Sequence, residues 1–237
     1  MSCLGLAPRL LVSSLSAMAA AGLTAVSPVH ADQRPSAFTQ TLDAAVGVGS
    51  SKWTGAASWN PSYGLGDSRH LRVGLGVRLA SFFGADDLSY KTADASLLKE
   101  SRINTLAISG ARTYSLNLEL QLKYRFLERV EAGLDIDLLG VAFGKSTTGS
   151  YRSADPALSG AQRADVSSFD LLKGGNPDRG QLVSEFFLAY WWNDRWAVRV
   201  GFSHFLSEYT TVNRLDFGND RYRHGANLGF VGLTFRP

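Results

Sequence analysis

The chain has 237 residues, with 24 Lys and Arg against 21 Asp and Glu, and a mean hydropathy near zero. Near-balanced charge without a basic stripe argues against a nucleic-acid partner. Beyond the first thirty residues no run approaches eighteen consecutive apolar residues, which excludes membrane-spanning helices. A glycine count of 24 beside 13 Phe, 8 Tyr and 5 Trp is unusual for a helical protein and ordinary for a β-barrel.

Residues 1–31 read as a secretory signal peptide. Arg9 is the only Lys, Arg, Asp or Glu before Asp32, a short apolar core follows it, and Val29-His30-Ala31 places small residues at −3 and −1 of a cleavage site. The only cysteine, Cys3, lies in this segment, so the mature chain is expected to hold no disulfide or thiolate-bound metal. Cleavage would remove one arginine and no acid, lowering the formal charge from +3 to +2. Residues 32–39 form a short lead, and residues 40–237 are expected to be one barrel domain.

In chain order, weak period-2 segments occupy residues 42–49 and 59–66. A clearer one at 71–79 sets Leu71, Val73, Leu75, Val77 and Leu79 against Arg72, Gly74, Gly76 and Arg78. The strongest runs from Tyr114 to Phe126, where Tyr114, Leu116, Leu118, Leu120, Leu122, Tyr124 and Phe126 alternate without fault with polar residues. That period belongs to a strand with one apolar and one polar face, because a helix would scatter the leucines around its circumference. The rhythm resumes at 129–138, returns at 181–192 and 196–202, and closes at 226–235.

Eight strands result. Short connections near 67–69, 127–128 and 193–194 alternate with long loops near 85–113, 145–180 and 213–225, and a modest connection lies near 51–58. This is the pattern of an all-β, closed, antiparallel up-and-down barrel with both ends of the chain at the short-turn end.

Three features set which face points outward. Gly47, Gly49, Gly74, Gly76, Gly133 and Gly201 share the non-apolar face, where a crowded lumen has use for residues without side chains. The same face carries Arg72, Arg78, Lys123, Arg125 and Arg199 against Glu119, Glu131, Asp135, Asp137 and Glu185, the balance an enclosed charge network needs. Aromatics gather at strand ends: Tyr124, Phe126, Trp192, Trp196 and Phe235 near the short turns, and Tyr114, Phe82, Phe143 and Tyr209 near the long loops. Two such bands fit the aromatic girdles of a transmembrane barrel.

With these segments and the closing stretch Val231, Leu233 and Phe235, the sequence resembles the small eight-stranded bacterial outer-membrane barrels, the class of OmpX, OmpW and the barrel half of OmpA. The resemblance covers residues 40–237. It implies residence in the Gram-negative outer membrane, contact with its lipid and lipopolysaccharide, and insertion by the barrel-assembly machinery. Family members end on an aromatic residue, whereas here Arg236-Pro237 follow Phe235. No peptidoglycan-binding domain of the OmpA kind is expected after the last strand.

An eight-stranded lumen is just wide enough for side chains to fill, so an open pore is not expected. No cofactor, metal site or catalytic group is expected. Glu131, Asp135 and Asp137 share a face, but neighbouring cations account for them more simply than acid–base chemistry. His204 and Ser207 are three apart and so on opposite strand faces, which argues against the deacylase arrangement of lipid-A enzymes; His204 should face outward, with His70 by a turn and His224 in a loop. Residues 47–52 lack the further glycine and helix of a phosphate loop, and residues 216–220 lack the twelve-residue calcium pattern.

The leading expectation is a non-enzymatic, monomeric, porin-like outer-membrane protein, structural or interacting through its loops. Arg214, Arg221 and Arg223 are candidate contacts for lipopolysaccharide phosphates. The alternative is a narrow channel or carrier for small or hydrophobic compounds, supported by Phe187, Ala189 and Trp191 on the lumen side. A lipid-A-modifying enzyme ranks third.

Overall fold

The computed structural model describes residues 36–99, 102–153, 156 and 159–237. The expected signal peptide and residues 32–35 of the lead lie outside the described residues. Where alternation is strongest, long strands form: β1 (Phe38–Gly49), β2 (Lys52–Leu65), β3 (Leu71–Gly84), β6 (Arg112–Leu127), β7 (Val130–Gly144), β11 (Leu182–Trp191), β12 (Trp196–Thr211) and β13 (Arg221–Phe235). Each pairs antiparallel with the next in that order, and β13 pairs back onto β1 through Leu42↔Phe235 to Val48↔Gly229, so the sheet closes on itself.

The strand count differs from the eight expected, because thirteen strands are present among the described residues. The five others are short and lie in the segments expected as loops: β4 (Leu88–Thr92), β5 (Thr105–Ile108), β8 (Thr147–Arg152), β9 (Gly160–Val166) and β10 (Phe169–Leu171). β4 pairs with β13 and β5, β5 with β8, β8 with β9, and β9 with the far end of β12. Because β12 and β13 also pair with each other there, a second, shorter circuit closes on the same hairpin. This circuit and its turns form a cap at the long-loop end. β10 pairs with β7 at Phe169↔Val141 to Leu171↔Leu139, in the position β11 has vacated.

Further corrections follow. The connection expected at 51–58 is strand, since β1 and β2 are joined by Ser50-Ser51 alone, with Ser51 at φ 54°. The loop expected at 213–225 ends at Arg221, where β13 begins, and His224 lies within that strand. In β7 the outward side changes parity at a bulge: Glu119 pairs with Asp137 but Leu118 pairs with Leu139. The extra residue lets Leu139, Val141 and Phe143 continue the outer face begun by Ile136, while Asp135 and Asp137 stay inside.

The sidedness is the reverse of a soluble protein's. Leu75, Leu79, Leu116, Leu188, Val200 and Phe202 on the outer wall are 45–74% exposed, whereas Arg78, Glu119, Asp135 and Asp137 are 0–1% exposed. An outer face this continuously apolar, wrapped around enclosed charge, calls for an apolar surround. The interior carries a second kind of filling at the cap end. There Phe82, Tyr90, Leu106, Tyr151, Tyr209 and Tyr222 pack into one buried cluster, with Phe82 stacked on Phe205 at 4.9 Å and Tyr90 edge-on to Tyr209 at 5.2 Å. Phe82 and Tyr209 therefore point inward and are not girdle residues. Each falls on the inward parity of its strand.

Candidate functional site

The interior of the eight-strand circuit is organised by two guanidinium groups. Arg78 on β3 reaches across the lumen to Glu119 at 2.5 Å, Asp137 at 3.0 Å, Glu185 at 3.2 Å and Asp135 at 3.8 Å. Arg199 on β12 binds Asp135 at 2.8 Å, Glu185 at 3.2 Å and Asp43 at 3.3 Å. Asp135 and Glu185 are thus shared between the two arginines, tying β3, β6, β7, β11, β12 and β1 through charge-assisted hydrogen bonds. Low local dielectric makes such a network strong when satisfied and costly when broken.

Asp43 is the member that sequence reasoning missed. It accepts hydrogen bonds from Asn60 and Thr234 and lies 4.0 Å from Lys123. The central group is accordingly acid-rich, with Asp43, Glu119, Asp135, Asp137 and Glu185 around Arg78, Arg199 and Lys123, and not the five-against-five balance expected. The remaining cations sit apart. Arg125 is half-buried and pairs with Glu131 at 3.6 Å, while Arg72 donates to the carbonyls of Ser36 and Ala37 and so fastens the start of β1.

Glycines make the room these groups occupy. A Cβ added at Gly133 would run into the Phe187 ring, and one at Gly201 would lie 2.8 Å from the Phe187 Cα. Phe187 in turn lies under the Arg199 guanidinium, 3.7 Å from ring centre to Cζ, and Trp191 lies under Arg236 at 4.1 Å. Phe187, Ala189 and Trp191 do face the lumen, as the carrier reading needs, but they are buried and the two rings are covered by cations.

A second polar hub stands in the cap region. Glu208 on β12 is 1% exposed and receives Arg221 at 2.9 Å through both Nε and Nη2, and Arg223 at 3.0 Å. Both arginines also donate to the Asp178 carbonyl. The Asp178 carboxylate accepts from the amides of Lys173, Gly174 and Gly175, with Gly174 and Gly175 at φ 89° and 90°, so this turn is held from within. Arg221 and Arg223, expected to reach lipopolysaccharide phosphates, are engaged in this hub. Arg214 remains exposed, 3.9 Å from Asp220.

The hub and the lumen network are joined. Asn117 donates to both Asp137 and the Gln181 carbonyl, and the Gln181 side chain donates to the Glu208 carbonyl. Asp137 also accepts the Val183 amide at 2.9 Å.

The exposed aromatics expected as girdles fall into two bands. At the short-turn end Trp192, Trp196 and Phe235 follow one another at 6.4 and 4.7 Å, with exposed Tyr124 and Phe126 at the foot of β6. At the other end Trp53, Phe83, Tyr114 and Phe143 make a ladder across β2, β3, β6 and β7 with centroid spacings of 3.9, 5.8 and 5.7 Å. Trp53 and Phe83 were not singled out in the sequence, because the segment holding Trp53 reads as a connection.

His204 faces outward against Asn227, Ser207 faces inward against Tyr90, and His224 donates to the Ser89 carbonyl. No group of three or more His, Cys, Asp or Glu suited to a metal ion occurs among the described residues.

No protein-family model and no curated protein matches the chain. Among solved structures it is similar to Neisserial surface protein A, at 12% identity and a TM-score of 0.39 over 85% of this chain and 98% of that one. It is also similar to the Pseudomonas putida toluene transporter TodX, at 12% identity and a TM-score of 0.26 over 84% and 67%, respectively. The CymD monoaromatic hydrocarbon channel gives 9% identity and a TM-score of 0.20 over 84% and 88%. Likenesses of this size carry no functional argument, and the closed antiparallel sheet rests on the strand pairings themselves.

Proposed function

We propose that this protein is an exported, non-enzymatic β-barrel of the Gram-negative outer membrane, monomeric, with a closed lumen, acting through the outer surface of its cap. The observation that carries this reading is the pairing of an apolar outer wall with a lumen plugged by buried ion pairs. Arg78 joins β3 to β11 through Glu185, Arg199 joins β12 to β7 and β1 through Asp135 and Asp43, and the tyrosine-rich cluster fills the interior toward the cap. Residues 1–31 would direct export, and the alternating Val231, Leu233 and Phe235 would present the assembly signal to the barrel-assembly machinery.

The test is fractionation of cells expressing the full chain, with gel mobility compared before and after boiling, followed by planar-bilayer recording. This reading expects recovery with outer membranes, a heat-modifiable band and no stable conductance steps. Recovery of the mature chain from the soluble periplasm would overturn the membrane assignment. Reproducible single-channel steps would instead favour the narrow-channel alternative.

A further inference from the structure

At the cap end of the outer wall, Tyr114 pairs with Phe143 and Thr113 with Gly144 across β6 and β7. The two rings stack at 5.7 Å and form part of the upper aromatic ladder. One step further from the barrel, with the same strand parity as those rings, stand Arg112 and Lys145. Both are exposed, and neither side chain has an ion-pair partner among the described residues. By contrast, the two arginines of the cap hub share the Glu208 carboxylate and are held against it.

Arg112 and Lys145 line a crevice of about 350 Å³ together with Gly110, Ser146, Thr147 and Tyr209. None of the lining residues is acidic. The buried Tyr209 hydroxyl fixes one wall, accepting the Arg112 amide at 3.3 Å and donating to the Arg112 carbonyl at 3.4 Å. The residues that line the crevice carry a guanidinium, an ammonium and two aliphatic hydroxyls, with the Arg112 backbone held by Tyr209. That donor set suits a phosphate monoester or diester. Its height matters equally, because aromatic ladders mark headgroup level and the cations lie just beyond the ladder.

We propose that Arg112 and Lys145 form a binding site for the phosphate of an outer-leaflet lipid headgroup, with Ser146 and Thr147 completing its shell. The site rests on the membrane reading above. It also moves the phosphate contact from Arg221 and Arg223, which the cap consumes internally, to the rim of β6 and β7.

The test uses the full mature chain folded in zwitterionic detergent, with native mass spectrometry reading retained lipid. Three probes are compared at equal concentration: lipid A bearing its phosphates, the same lipid with its phosphates removed, and inorganic phosphate. Wild type should retain the phosphorylated lipid about tenfold better than the dephosphorylated one. Arg112→Gln with Lys145→Gln should abolish that preference, Lys145→Arg should keep it, and Arg214→Gln should leave it unchanged.

Equal retention of the two lipids, or an unchanged preference in the double variant, would overturn the site. So would displacement of the lipid by inorganic phosphate at equal concentration, which would mark a free-anion site. Heat-modifiable mobility is measured on every sample. A failed membrane reading shows as loss of that band in wild type, whereas a failed phosphate site leaves the band intact.

Discussion

Arg78→Met is the substitution that most directly tests the enclosed network. Arg78 is 1% exposed and has three carboxylates within 3.2 Å and a fourth at 3.8 Å. Methionine fills much of the same volume, so the change removes charge with little loss of packing. Breaking one buried ion pair costs about 3–5 kcal/mol, because the partner is left charged and uncompensated. Here Glu119 and Asp137 have no second cation within 4 Å, whereas Asp135 and Glu185 retain Arg199. Two orphaned carboxylates place the expected loss at the upper end, about 5 kcal/mol.

Glu119→Gln should behave differently. It reduces the acid excess of the central group, and an amide oxygen still accepts from Gln121, which now bonds Glu119 at 3.0 Å. Its cost should stay near 1 kcal/mol, and in the Arg78→Met background it should recover part of the loss, with a coupling of about 0.5–3 kcal/mol. Equilibrium urea unfolding in thin phosphatidylcholine vesicles, read by the heat-modifiable band and tryptophan emission, measures all three. An Arg78→Met stability within about 1 kcal/mol of wild type would refute the reasoning, since it would mean that water already screens these carboxylates.

Three other perturbations follow from the same structure. Gly133→Ala should destabilise by about 1–3 kcal/mol through collision with the Phe187 ring, and the same change made in a Phe187→Ala background should cost little; urea midpoints of wild type, both single variants and the double check this. Glu208→Ala leaves Arg221 and Arg223 without their carboxylate, so proteolysis of the exposed 212–214 turn should accelerate while the barrel band persists; unchanged cleavage would mean the hub does not hold the cap. Burial pushes the phenols of Tyr90 and Tyr151, on the cap strands β4 and β8, above the usual tyrosine range. A raised folded-state pKa gives stability that is fully present below the unfolded value, about 10, and lost as pH rises above it. Cap protease resistance should therefore fall with phenolate absorbance above about pH 10, and complete phenolate titration with the cap still resistant would contradict this.

The wall of the barrel was legible because its chemistry repeats every second residue. Residues 114–126 alternate without interruption, and β6 follows with its leucines outside and Glu119, Gln121 and Lys123 inside. Legibility failed where period 2 was broken or too short to register. The bulge beside Leu138 changes the parity of β7, so a single alternation cannot be followed through Phe143. Asp43 lies between Leu42 and two alanines, in a strand whose small residues blur the two faces, and only its pairing with β2 and β13 reveals its partners Asn60 and Thr234. The cap strands carry four to seven residues each and pair over long separations, as Leu106 does with Tyr151. Their inward tyrosines look like loop residues until the circuit closes around them.

The shared β12–β13 hairpin decides how the two circuits act on one another. Its lower part supplies Arg199 and Thr234 to the lumen, and its upper part supplies Glu208, Arg221 and Arg223 to the cap hub. Between them, Asp137, Asn117, Gln181 and Glu208 form an unbroken run of buried hydrogen bonds. A cap that swung aside as a lid would have to break the β9 and β4 ladders, the Gln181 and Ser167 bonds to Glu208, and the Tyr90 bond to Ser207 together. Each buried polar group left unpaired costs about 1–3 kcal/mol, so their simultaneous loss is incompatible with routine opening. The cap is therefore a continuation of the barrel and not a gate over it. On the function proposed above, the fixed cap and the ion pairs beneath it direct recognition to the outer surface of the cap and to its rim at Arg112 and Lys145.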